Sequence, residues 1–108
     1  WEAGMQRWPD ATVTHFGLGN ARYRNGDTTG AASAFRDVVA LDPGHVAARY
    51  NLARLHLDAG CTEAARREVA LAREHLARLP AMAEALVALE QELAERPDRG
   101  RACRLSID

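Results

Sequence analysis

The sequence predicts an all-α fold, and three observations carry the prediction. Apolar residues make up 47% of the 108, dominated by Ala and Leu with only 6% aromatic. Ala and Leu have the strongest helix propensities, whereas strands favour β-branched and aromatic residues. The chain also matches itself at an offset of 34 residues, a period that marks a stacked structural unit. Finally, Gly26, Pro43 and Gly60 stand at the ends of helix-length stretches, where they punctuate rather than interrupt. A chain this short buries one modest core and has no room for a separate catalytic domain.

The register sets Leu18 on Leu52 and Leu86, Gly19 on Ala53, Ala21 on Leu55, Gly26 on Gly60, Ala31 on Ala65, Phe35 on Val69 and Val38 on Ala72. It also runs backwards, setting Pro43 on Pro9, Phe35 on Trp1 and Val38 on Gly4, so residues 1–11 read as the end of an earlier unit. The chain starts at Trp1 without an initiator Met, which reads as a piece of a longer protein. Helices are expected at 1–8, 12–25, 28–41, 46–59, 62–78 and 81–95. Gly19 and Ala53, with Ala31 and Ala65, keep small side chains at matching positions of the 34-residue offset, as a close crossing of two helices would require. Gly26 and Gly60 end helices in the left-handed conformation that glycine adopts cheaply. Asp27 and Thr62 follow as N-caps, and Asp42-Pro43 stops the helix before it. The segment "AMAEALVALEQELAE" carries Ala85, Leu86, Leu89 and Leu93 at helical spacing with Glu elsewhere, as a solvating end helix should. The tail "RPDRGRACRLSID" is expected to be irregular.

Across this whole pattern the chain resembles the tetratricopeptide repeat family. Residues 12–45, with "FGLGNARYRNGDTTGAASAFRDVVALDPG", carry the resemblance best through Leu18-Gly19, Tyr23, Ala31, Phe35 and Pro43. Residues 46–79 keep "YNLARLHLDAGCTEAARREVALA" with Ala53, Val69 and Ala77 at the Gly, aromatic and Pro positions. The resemblance implies a solenoid of helical hairpins over 1–96: the end of a preceding repeat (1–11), two full repeats (12–45 and 46–79) and a capping helix (80–96), then a tail (97–108). It further implies a protein or peptide partner held in the concave groove lined by the first helix of each repeat. By register the groove residues are Val13, Phe16, Asn20, Tyr23 and Arg24, then Tyr50, Asn51, Arg54, Leu57 and Asp58, then Glu84, Ala88 and Gln91. Aromatic rings, Arg and Asn suit peptide binding, since rings supply area at low entropic cost and Asn pairs with a peptide backbone. The bland reading of Phe16, Tyr23 and Tyr50 is packing between neighbouring helices.

One subfamily grips chaperone C-terminal carboxylates with Asn and basic residues. Asn20 and Asn51 match that pattern, but Phe16, Ala81 and Ala85 stand where it needs cations, so the strongest charge-assisted bonds to a carboxylate are missing. The stretch from Arg7 to Ala53 is also similar to the repeat tails of some bacterial papain-like cysteine peptidases, which makes an accessory domain of a larger bacterial enzyme an alternative. A second alternative is self-association as a homodimer through Trp1, Met5 and Trp8.

Enzymatic activity within the chain is not expected. His15, His45, His56 and His75 stand in no metal-ligand spacing, and Cys61 has no adjacent His, so neither a metal, another cofactor nor a nucleophile is implied. Gly17, Gly19 and Gly26 follow no strand and form no phosphate loop. Cys61 and Cys103 fit free thiols, with one disulfide as the alternative. All fourteen basic residues are Arg, scattered among fifteen acidic ones, which disfavours nucleic acid as a partner. No run of about 18 apolar residues offers a membrane span. The residues leave the compartment open between bacterial cytoplasm and cell envelope.

Overall fold

The computed structural model describes residues 2–95, with side chains from residue 11 onward. Its elements are α1 (Glu2–Arg24), α2 (Thr28–Leu41), α3 (Val46–Asp58), α4 (Thr62–Glu74), two 3₁₀ turns (Leu76–Arg78 and Pro80–Met82) and α5 (Ala83–Glu95). Two antiparallel hairpins, α1–α2 and α3–α4, stack side by side, and α5 packs on the second. Among the described residues there is no strand.

The turns of both hairpins follow from glycine. Gly26 and Gly60 have φ of 84° and 85°. In each turn the amide after the glycine reaches back five residues, Asp27 to the Arg22 carbonyl at 2.9 Å and Cys61 to the His56 carbonyl at 2.7 Å. That pattern satisfies carbonyls the ending helix would leave bare. An L side chain in this region costs about 1–2 kcal/mol, so Gly26→Ala and Gly60→Ala should each lower the unfolding free energy by about that amount, measurable as a shift in urea midpoint. Asp27 then caps α2, its carboxylate accepting the Gly30 amide at 2.9 Å.

The apolar residues divide into two clusters. Ala31, Ala32, Phe35, Val38, Ala48, Leu52, Leu55 and Cys61 form the first, with Phe16 packed against it. Val46, Ala53, Leu57, Ala65, Val69, Ala72, Leu86, Leu89 and Leu93 form the second, flanked by Tyr50, Leu76 and Met82. Gly19 explains the tight α1–α2 crossing: a Cβ added there would lie 2.6 Å from Phe35 Cε1. Leu52 belongs to the first cluster with residues of α2, and Leu86 to the second with residues of α4. Leu18, at the same register, has no preceding hairpin among the described residues and is 39% exposed.

Several expectations need correction. The break expected at Pro9 is absent, and α1 runs continuously through it. An interior proline gives up one helical hydrogen bond and its ring crowds the carbonyl four residues back, yet α1 continues through Pro9; at Pro43 the helix has already ended, α2 closing at Leu41 with Asp42 as its C-cap. The expected helix over 62–78 ends at Glu74. Pro80 drives Leu79 to φ −149° and ψ 71°, outside the helical region as the residue before proline prefers. Thr62 is the first residue of α4 and not its cap; Cys61 holds the cap position without a side-chain hydrogen bond. Cys61 is buried and disulfide-bonded rather than a free thiol. Cys103, the tail 97–108 and the side chains of Trp1, Met5 and Trp8 lie outside the described residues.

Candidate functional site

The first helices α1 and α3, together with α5, carry the groove residues expected from the repeat register. Val13, Phe16, Asn20 and Tyr23 recur on α1 at spacings of three and four, as do Tyr50, Arg54 and Asp58 on α3, which puts each series on one helix face. Polar contacts join these faces across the stack. Asn51 donates its amide to Asn20 Oδ1 at 3.4 Å, linking α3 to α1. Arg54 donates to Glu92 Oε2 at 2.7 Å, linking α3 to α5, and sits 3.9 Å from Asp58 one turn on.

Exposure sorts the individual residues. Val13 is 70% exposed and Tyr23 43%, both far more than a core role would leave. Arg24, Asp58, Glu84, Ala88 and Gln91 are also exposed. Phe16 is half-buried: its ring lies 5.6 Å from Phe35 and 5.0 Å from His45, between centroids. Tyr50 is half-buried against the second cluster. Leu57 is a correction. It is 1% exposed within that cluster, which residues of α5 complete, and it offers nothing to a ligand. Glu92 joins the face without being expected there, although the same 34-residue offset sets it on Asp58.

Away from this face, ion pairs fix the hairpins and α5. Arg49 meets Glu68 at 2.9 Å between α3 and α4. Arg73 donates to both Glu90 oxygens at 2.6 and 2.8 Å, and that hydrogen-bonded guanidinium lowers the Glu90 pKa below the usual carboxylate value. Arg78 grips both Asp42 oxygens at 2.9 Å, with the same effect and first cause on Asp42. A cavity of about 250 Å³ lies between α4 and α5, lined by Arg66, Val69, Ala70, Arg73, Glu90 and Leu93.

His15 Nδ1 lies 3.8 Å from Asp37, between α1 and α2, His56 is buried at 6% exposure, and His45 begins α3. Among the described residues no three His, Cys, Asp or Glu side chains cluster as a metal site would require. No described helix is long and apolar enough to cross a membrane.

Stacked helical hairpins with a small residue at each crossing, a glycine in each hairpin turn and polar contacts running between first helices define a helical-repeat protein. A family model for the tetratricopeptide repeat matches residues 22–83, more than half of the chain, and the chain belongs to that family. The match is to the repeat and not to any peptidase. No curated protein and no solved structure gives a significant match.

Proposed function

We propose that this domain binds an extended segment of another protein along the face shared by α1, α3 and α5, and does no chemistry of its own. The family supplies the coarse statement, a module for protein interaction. The observation that supports this particular face is the exposure of Val13 and Tyr23 beside the Asn20–Asn51 pair and the Arg54, Asp58 and Glu92 side chains. Apolar area gives a bound segment its affinity, and the amides offer donors and acceptors that pair with its backbone. Arg54 is already engaged by Glu92, so a ligand carboxylate would have to displace an existing partner. Leu57 is no part of the site.

The test compares capture from the source cell's lysate by the wild type and by a Val13→Ala, Asn20→Ala, Tyr23→Ala variant. These positions open no core cavity, in contrast to Phe16 and Tyr50, and circular dichroism should show unchanged helicity. A partner held by the wild type and weakened at least about tenfold in the variant is the expected result, since a few buried anchors carry most binding energy. Equal capture would move the site off this face.

A further inference from the structure

His45 holds a position that the repeat pattern leaves unremarked. It is the N-cap of α3, and its Nδ1 accepts the Ala48 amide at 3.1 Å. Only a neutral imidazole has a ring nitrogen free to accept; the protonated ring has two donors and no acceptor. The same ring lies 5.0 Å from Phe16 of α1, tilted by 38°. One side chain therefore starts α3 and touches α1, across the turn between the two hairpins.

We propose that His45 is an acid-released cap: neutral, it fastens the start of α3 against α1, and protonation turns its acceptor into a donor facing the Ala48 amide and loosens the α2–α3 turn.

The surroundings hold charges of both signs. Asp42, in the same turn, favours the charged ring, and Arg78 from the turn after α4 opposes it. His75, at the end of α4, and Arg78 both crowd Gly44. Arg49 of α3 donates to the Pro43 carbonyl and is itself paired with Glu68 of α4. From α1 the neighbour is the uncharged Phe16, whose ring face mildly favours a cation. Burial outweighs these favourable partners and lowers the His45 pKa from its ordinary value. A cavity of about 140 Å³ borders the ring, lined by Gly44, His45, Val46, Ala47, Arg78 and Leu79.

The sign follows. Between the ordinary imidazole pKa, about 6.5, and the depressed folded value, the unfolded chain binds a proton that the folded chain does not. Stability is complete above that window and falls as pH drops through it.

The test is long-range ¹H–¹⁵N NMR of the imidazoles in the full chain from pH 8 to 5, with amide protection factors measured in parallel. His45→Asn is the comparison, because Asn caps at any pH. At neutral pH His45 should show the tautomer protonated on Nε2. On its titration the Ala48 protection factor should fall at least about fivefold, the worth of one cap, and His45→Asn should remove that fall. An Nδ1-protonated tautomer at neutral pH, an Ala48 amide indifferent to the titration, or an identical fall in His45→Asn would each overturn the proposal. The tautomer is read on the wild type, so failure of the variant to fold leaves the proposal testable.

Discussion

Phe35→Ala should destabilise the domain by about 3–5 kcal/mol, as truncation of a buried aromatic does. The side chain is 1% exposed, belongs to the first core cluster and fills the space that Gly19 leaves at the α1–α2 crossing. Small domains have a total stability of about 5–15 kcal/mol, so the variant should sit near its folding threshold. Urea denaturation followed by circular dichroism measures the loss. A cost below about 1 kcal/mol, well under the range for a buried ring, would mean that the crossing is loosely packed and that the 34-residue register does not mark a tight contact.

Gly19→Val is the mirror image of that change. A Cβ at residue 19 would stand 2.6 Å from Cε1 and 2.8 Å from Cδ1 and Cζ of Phe35, and a ring locked between two helices has little room to yield. Overpacking costs about 1–3 kcal/mol and occasionally more; the two further methyl groups of valine should bring this variant to the upper end. The milder Gly19→Ala sets a gain in helix propensity of about 1 kcal/mol against the same clash. It should therefore destabilise the wild type yet stabilise Phe35→Ala, where the cavity accepts the methyl group. Such a sign reversal measures the coupling between the two positions directly. Additive effects would show that residues 19 and 35 do not meet.

The parts of the fold legible in the sequence are those governed by local backbone chemistry. The positive φ at Gly26 and Gly60, the Asp27 cap and the bounds of α2 follow from single residues with strong preferences. The crossings at Gly19, Ala31, Ala53 and Ala65 are readable because a small side chain recurring at a fixed offset marks where two backbones approach. Sequence and structure part where one residue has to decide alone. Pro9 reads as a stop by analogy with Pro43, yet α1 runs through it, whereas α2 has ended at Leu41 before Pro43 is reached. Ala77 carries no signal for the end of α4, and it is Pro80 that shapes the following turn through Leu79.

The candidate face shows the same division. Spacing places Val13, Asn20, Tyr23 and Arg54 on exposed or half-exposed stripes, but spacing cannot tell which stripe a later helix will cover. Leu57 is lost to the core for that reason. The His45 cap is illegible because Ser, Thr, Asp and Asn are the usual N-cap acceptors, and its role depends on Phe16 arriving from another helix. The bonding of Cys61 leaves no trace in its sequence neighbours. Which partner the face takes is illegible in principle, since one helical scaffold serves unrelated pathways.

The measurement that tests the proposed binding face most directly is site-specific photo-crosslinking to the captured partner. A photoreactive residue is placed in turn at Val13, Tyr23 and Gln91, and at Arg36 and Arg67 on the second helices α2 and α4. Crosslinks from the first three positions and none from Arg36 or Arg67 are the predicted result. Crosslinks concentrated at Arg36 and Arg67 would contradict the account and assign binding to the second helices.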